Sequence, residues 1–146
     1  GAGLEALALT RCAQIADISS LAACAGLAVL NLSRCMRLTD ISALAACGSL
    51  QELYLSWCHE LADISALGSC ASLKVLDISR CLRVEDVSAL ASCCSLRQLN
   101  LAGCRQLKMP GTVSRLRKRN RRLRIDLKET GLCEQEAVAR PLHRRP

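Results

Sequence analysis

Leucine returns along this chain at a fixed interval of 23 residues, and the recurrence organises most of the sequence. A second leucine follows the first after three residues, and a third aliphatic residue follows two positions later. Cysteine comes three residues after that in every copy. The first leucines are Leu4, Leu27, Leu50, Leu73 and Leu96, and the cysteines are Cys12, Cys35, Cys58, Cys81 and Cys104. Self-similarity at such a period predicts stacked structural repeats.

The second half of each unit is also regular. Three residues after the cysteine stands an aliphatic residue, followed in four copies by Asp-Ile-Ser or Asp-Val-Ser, a leucine and a second cysteine. The aspartates are Asp17, Asp40, Asp63 and Asp86, and the second cysteines are Cys24, Cys47, Cys70 and Cys93. The unit LxxLxLxxCxxLxDISxLxxCxx therefore fills residues 1–107, as copies 4–26, 27–49, 50–72, 73–95 and 96–107 onward.

The spacing within the unit predicts one short strand and one short turn in each repeat. In LxL the two aliphatic residues flank one outward position, which is the alternation of a strand. Strands from successive repeats would form a parallel sheet on the concave side, spaced by about 4.8 Å. The aspartate can accept backbone N–H groups at the start of the turn, and the serine can help satisfy the same turn. The convex side is therefore a short turn or 3₁₀ segment.

This unit resembles the leucine-rich repeat. The Asp-Ile-Ser-x-Leu half is similar to the short-helix class of bacterial internalins. Cysteine in the usual asparagine position, with one extra residue, is similar to repeats of kinetoplastid leucine-rich-repeat proteins. The resemblance implies an α/β solenoid, a right-handed superhelix of strands and short helical turns with a parallel concave sheet. It also implies a noncatalytic module or scaffold that binds other proteins.

Eleven cysteines invite a disulfide or metal interpretation, but their regularity favours packing. Each row places a small apolar thiol at the same point of successive coils. Neighbouring thiols of a row fall within disulfide distance, but parallel inward side chains are badly aimed for bonding. No CxxC pair announces a metal site, and we expect none, nor any other cofactor. We expect reduced thiols in a cytoplasmic protein, with Cys93, Cys94 and Cys133 the most exposed.

Composition fixes the character of the core. Of the 146 residues 51% are hydrophobic, yet Phe is absent and only one Trp and one Tyr occur, so the core is aliphatic. The longest apolar stretch is far below the roughly 20 residues of a spanning helix, so no membrane span is expected.

The first leucine has no polar capping segment before it. We expect further repeats or another chain to cover that end of the stack.

The side chains between the core positions are the candidates for function. The only Tyr and the only Trp fall in one repeat, between arginines of the adjacent repeats. Trp, Tyr and Arg dominate binding hot spots, although an ordinary solvated face with incidental aromatics is the alternative. We predict that a protein partner binds on the concave face, through Arg34, Tyr54, Trp57, His59, Arg80 and Arg83. Nothing orients His59 with Glu60 or Cys58 as a nucleophile and base, so we expect no catalytic site.

Charge changes abruptly after Cys104, the cysteine of the fifth repeat. Residues 1–104 hold seven Lys or Arg and nine Asp or Glu, a net charge of −2, whereas residues 105–146 hold thirteen and four, a net charge of +9. We predict a degenerate, basic repeat over 108–133 that caps the stack, and a basic tail over 134–146. Thr112 would cap a helix with Val113, Leu116 and Leu123 on its apolar stripe. Thr130 occupies the slot of the repeat cysteine.

The basic segment has three interpretations. Its basic patch comprises Arg115, Arg117, Lys118, Arg119, Arg121, Arg122 and Arg124. Such a patch can bind RNA through phosphate charge, dock on an acidic protein surface, or keep the cap soluble. No aromatic residue lies there to stack bases, which weakens the nucleic-acid interpretation. The alternative function is therefore a component of a nucleoprotein or cytoskeletal assembly that docks through this patch.

Overall fold

Six short parallel strands form one sheet in the order of the sequence. The computed structural model describes residues 3–108 and 110–130. The strands are β1 (Ala6–Ala8), β2 (Val29–Asn31), β3 (Glu52–Tyr54), β4 (Val75–Asp77), β5 (Gln98–Asn100) and β6 (Arg124–Asp126). The predicted parallel sheet, with one strand from each repeat, is confirmed. Cys133 and residues 134–146 lie outside the described residues.

The register of the sheet follows the sequence period. Ala6 pairs with Val29 and Val29 with Glu52, each 23 residues on. The step from β5 to β6 is longer, since Gln98 pairs with Arg124. From β2 to β5 the middle residue of each strand is buried and its two neighbours point outward, as the LxL pattern predicts. Every coil therefore presents its outward side chains in line with those of the next.

Four 3₁₀ helices form the opposite side of the stack, as predicted. They span Ser19–Ala23, Ser42–Ala46, Ser65–Ser69 and Ser88–Ser92. Asp63 Oδ1 accepts the N–H of Ser65 at 2.8 Å, and the other three aspartates bond their serines at the same distance. These bonds lower the pKa of each aspartate. The N-cap residue of each 3₁₀ helix is Ile or Val, and the aspartate lies one residue before it. The aspartate therefore binds the first N–H of the helix from outside the N-cap position.

The thiols form two internal rows that connect successive coils. Cys58 Sγ donates to the Leu32 carbonyl oxygen at 3.2 Å, and the Leu55 carbonyl accepts the Cys81 thiol at 3.1 Å. In the second row the Cys70 thiol donates to the Leu44 carbonyl at 3.4 Å. Each acceptor lies in the preceding coil. The predicted packing role is confirmed, and the thiol also satisfies a carbonyl that a purely apolar side chain would leave with one partner fewer.

One cysteine prediction is wrong. Cys93 belongs to the second row and is 3% exposed, whereas its neighbour Cys94 is exposed. The vicinal pair therefore does not present two accessible thiols, because adjacent residues of this turn point in opposite directions.

The first coil is packed on one side only within the described stack. Leu4, Leu7, Leu9, Cys12 and Ile15 are partly buried, while their counterparts in the middle coils are fully buried. The covering of this end by further repeats or another chain stays a prediction. No helix in residues 3–108 and 110–130 combines the length and apolar character that crossing a membrane requires.

An α-helix replaces the 3₁₀ helix after β5. The helix, α1, spans Pro110–Arg119, so Thr112 lies inside it and is not its cap. Leu123 lies beyond its end, although it is buried beside Val113 and Leu116 in the same core. The sequence-based helix therefore began too late and ended too late. Asn120 explains the end, since its side chain donates to the Leu96 carbonyl and accepts the N–H of Arg122.

Candidate binding surface

One residue in each coil adopts a left-handed backbone, and these residues line up along the stack. They stand one position before the repeat cysteine, or before Thr130 in the last coil, with φ between 58° and 75°. We call them the left-handed row: Arg11, Arg34, Trp57, Arg80, Gly103 and Glu129. The N–H of Arg34 donates to the Ser56 carbonyl at 2.8 Å, and that of Trp57 to the Ser79 carbonyl at 2.9 Å. These bonds extend the sheet ladder and hold the row in place.

The backbone of this row favours glycine, yet only one coil has it. A left-handed conformation costs a residue with a side chain roughly 1–2 kcal/mol. Strained backbone that persists is a pointer to function when the side chains make specific contacts. The three central coils place Arg34, Trp57 and Arg80 there in succession, and both arginine side chains lie over the Trp57 ring.

Trp57 lies between two arginine side chains. The guanidinium carbon of Arg34 is 4.8 Å from the centre of the Trp57 ring, and that of Arg80 is 5.2 Å from it. Each cation–π contact contributes about 0.5–1 kcal/mol when exposed and more when water is excluded. The three side chains therefore form an ordered stack, whereas the sequence indicated only that Trp57 lies between the two arginines.

Arg80 continues the stack towards the last strand. Its guanidinium binds the Glu129 carboxylate at 2.7 Å. A Cβ at Gly103 would lie 2.7 Å from Arg80 Cδ, so the glycine leaves the space through which the arginine passes. Gly103 and Glu129 were not among the predicted site residues. The signal for Glu129 was present, since it directly precedes Thr130 in the cysteine slot.

Arg34 occupies the other face of Trp57 and differs from Arg80 in one respect. Its side chain is exposed, and no carboxylate in the described part of the chain pairs with it. A guanidinium that stacks on a ring can still donate hydrogen bonds through the N–H groups in its own plane. The stack thus ends in a cation without a carboxylate at Arg34 and in a paired one at Arg80.

His59 and Tyr54 accompany the stack in different ways. The His59 ring centre is 5.5 Å from that of Trp57, and its buried Nε2 atom has no hydrogen-bond partner among the described residues. The Tyr54 hydroxyl donates to the Glu52 carboxylate at 2.6 Å, which raises the pKa of Tyr54 to about 12. Tyr54 lies on the open face of the sheet and its hydroxyl is already used.

A shallow depression of about 560 Å³ covers this face of the sheet from Tyr54 to β6. Asp77 and Asn100 line it, together with Arg124 and Lys128. Asp77 Oδ1 accepts the N–H of Ser79 at 2.9 Å, so this carboxylate already holds the backbone that directly follows β4.

Arg83 lies apart from the stack. It binds Glu60 at 2.8 Å and lines a groove with Asp63 and Asp86 beside the 3₁₀ helices. Of the predicted binding residues, the structure brings together Arg34, Trp57, His59 and Arg80. Tyr54 is on the adjoining sheet face and Arg83 is on another edge of the coil.

The basic patch is divided among three elements rather than carried by one helix. Arg115, Arg117, Lys118 and Arg119 belong to α1, Arg121 and Arg122 lie in the turn after it, and Arg124 begins β6. All but Arg117 are exposed. Binding of RNA or of an acidic protein to this patch stays a prediction.

Two observations concern the chemical reactivity of the described side chains. Within residues 3–108 and 110–130, no three His, Cys, Asp or Glu side chains converge as metal ligands. Burial raises the pKa of the Cys58 thiol to about 11, which opposes the thiolate that a nucleophile needs.

Solved structures with this fold are leucine-rich-repeat proteins. A leucine-rich-repeat protein of Leptospira interrogans superposes with a TM-score of 0.66 at 20% identity, over 78% of this chain and 29% of that one. InlJ of Listeria monocytogenes, whose functional domain includes a cysteine ladder, gives 0.61 at 18% identity, over 84% and 24%. The internalin InlF of the same species gives 0.55 at 24% identity, over 80% and 39%.

The chain is a leucine-rich-repeat solenoid, and internalin-type proteins are among its structural neighbours. It spans between about a quarter and two fifths of the lengths of these three structures. No protein-family model and no curated protein sequence matches it. The resemblance to kinetoplastid repeats stays a prediction.

Proposed function

We propose that the chain is a noncatalytic module that binds another protein through the stack of Arg34, Trp57 and Arg80. The observation that carries the proposal is the pair of guanidinium groups at 4.8 Å and 5.2 Å from the single Trp ring. Arg and Trp are the residue types most enriched in hot spots. Here they occupy left-handed backbone positions that glycine would fill with less strain. The contacts of their side chains with Trp57 offset this backbone strain.

Rigid display is the mechanism. Hydrogen bonds from the backbone of Arg34 and Trp57 to the next coil fix where each side chain starts. Stacking then restricts the long arginine side chains before a partner arrives. Immobilising a flexible side chain on binding costs about 0.5–1.5 kcal/mol, and much of that cost is met within the free protein. A pre-ordered surface therefore binds more tightly than the same residues on a mobile loop.

Removal of the central ring is the test of this surface. We expect Trp57→Ala to lower the affinity for a bound protein segment more than tenfold, because both guanidinium groups lose their common support. Selection of a random library of displayed twelve-residue peptides on the wild-type chain supplies ligands for the measurement. Their dissociation constants are then measured by fluorescence anisotropy for the wild type and the variant.

Met36→Ala is the matched control. Met36 is an exposed apolar side chain, 38% accessible, in the position of the preceding coil that corresponds to His59. Its removal should change affinity less than twofold. Circular dichroism melts would show that both variants remain folded. Equal binding of the selected peptides to the wild type and Trp57→Ala would refute the proposed surface.

A further inference from the structure

Two arginines of the left-handed row lie on Trp57, and only one of them has a carboxylate partner among the described residues. Arg80 binds Glu129, whereas Arg34 binds none. We infer that the surface recognises an acidic segment of the partner protein, with an Asp or Glu carboxylate of that segment bound by the guanidinium of Arg34. The inference deepens the proposed function and rests on it, since it states which chemistry the partner brings to the same stack.

The pair of Arg80 and Glu129 shows that this stack accommodates a carboxylate. Arg80 lies within 5.2 Å of the Trp57 ring and at the same time binds Glu129 at 2.7 Å. One guanidinium therefore serves an aromatic face and a carboxylate together. The N–H fork that binds the acid lies in the plane of the guanidinium, so stacking does not consume it.

Arg34 repeats the first half of this arrangement and lacks the second. It packs on Trp57 more closely than Arg80 does, at 4.8 Å, and its backbone has the same left-handed φ. Among the described residues its guanidinium has no carboxylate partner, and the side chain is exposed. A carboxylate from another molecule would complete the same geometry on the opposite side of the ring.

Charge along the row favours an acidic partner over a basic one. Glu129 neutralises Arg80 at one end of the stack, whereas Arg34 at the other end has no acid beside it in the row. An incoming basic segment would meet like charge there, and an acidic segment would meet unlike charge. Because Arg34 is already held on Trp57, a bidentate bond to a carboxylate would order little additional side chain.

The selected peptides provide the experiment. Selection on the wild-type chain, in about 0.15 M salt so that distant charges are screened, should enrich peptides that share an Asp or Glu at one fixed position. In the best such peptide, replacement of that acid by its amide should weaken binding at least tenfold. Arg34→Gln should weaken binding of the acidic peptide to the same degree.

Two further variants separate this role from general charge attraction. Arg11→Gln removes an arginine from the same slot and the same backbone conformation, and it should change affinity less than twofold. The amide peptide should bind the wild type and Arg34→Gln equally, which shows that the acid and the arginine act on each other. Glu129→Gln frees Arg80 and should strengthen binding of the acidic peptide at least twofold.

Trp57 is the only Trp of the chain, so its fluorescence reports binding at this stack alone. A response of that fluorescence to single-stranded RNA but not to the acidic peptide would overturn the inference. Equal effects of Arg34→Gln and Arg11→Gln, or selected peptides without a fixed acid, would also overturn it. In those cases, peptides that bind Trp57→Ala more weakly than the wild type would still support the proposed function. Peptides that bind both equally would refute the proposed function and the inference together.

Discussion

Leu55→Ala should lower the free energy of unfolding by about 3–4 kcal/mol. Leu55 is fully buried between two neighbouring coils, so the deleted methyl groups leave a cavity that the stack closes poorly. Leu9→Ala changes the same slot of the first coil, where the leucine is only partly buried. There the expected loss is about 1–2 kcal/mol, because solvent already reaches one side. Urea unfolding followed by circular dichroism measures both values.

This comparison isolates stacking from residue type. The two leucines share their place in the repeat and differ in whether a coil covers each side. Equal destabilisation by the two substitutions would mean that the coils do not stack as described. A smaller loss for Leu55→Ala than for Leu9→Ala would contradict the internal row directly.

The stability of the chain should collapse in alkaline solution. Burial raises the pKa of the thiols of Cys58, Cys70, Cys93 and Cys104 from the ordinary value of 9.0 to about 11, and the pKa of Cys81 rises further. Unfolded thiols then lose protons at a lower pH than folded ones. The stabilisation is complete below about pH 9 and is lost as the pH rises through about 11.

Each of the four thiols whose pKa rises to about 11 should contribute about 2.7 kcal/mol to the loss, because one pKa unit corresponds to about 1.4 kcal/mol. Together they approach the roughly 5–15 kcal/mol that stabilises a typical domain. We therefore expect the chain to unfold between about pH 9 and pH 11. Urea midpoints measured at half-unit intervals of pH test this.

Two single substitutions assign the effect to the internal rows. Cys58→Ala should make the dependence of unfolding free energy on pH shallower by about one proton, while lowering stability at neutral pH. Cys94→Ala is the matched control, because it removes a thiol that is exposed and lies outside the internal rows. A wild-type chain whose stability stays level from about pH 8 to pH 11 would show that the thiols are not buried.

The periodic part of the fold could be predicted from sequence because identical slots meet identical surroundings. Each leucine and cysteine of a middle coil packs on its copies above and below, so one unit explains them all. The prediction failed where the period changed. The step from Gln98 to Arg124 is longer than that of the preceding coils, and an α-helix replaces the 3₁₀ helix within it.

The stack was predictable in part. Alignment in columns placed Arg34, Trp57 and Arg80 side by side, which a single sequence can show whenever coils are in register. Glu129 was missed although Thr130 marked the cysteine slot, because the sequence does not show that the Arg80 side chain passes Gly103 to reach it. Column position alone also did not show that Arg83 turns to a different edge, where Glu60 binds it.

Labelling of native thiols tests the central claim most directly, namely that the recurrence buries its cysteines in shared rows. A maleimide pulse at neutral pH, followed by peptide mass spectrometry, gives the labelling rate of each residue. Cys94 should react at once, and Cys58 and Cys81 roughly a thousandfold more slowly, with protection lost only at the urea unfolding transition. Native labelling of Cys58 and Cys81 as fast as that of Cys94 would contradict the stacked solenoid.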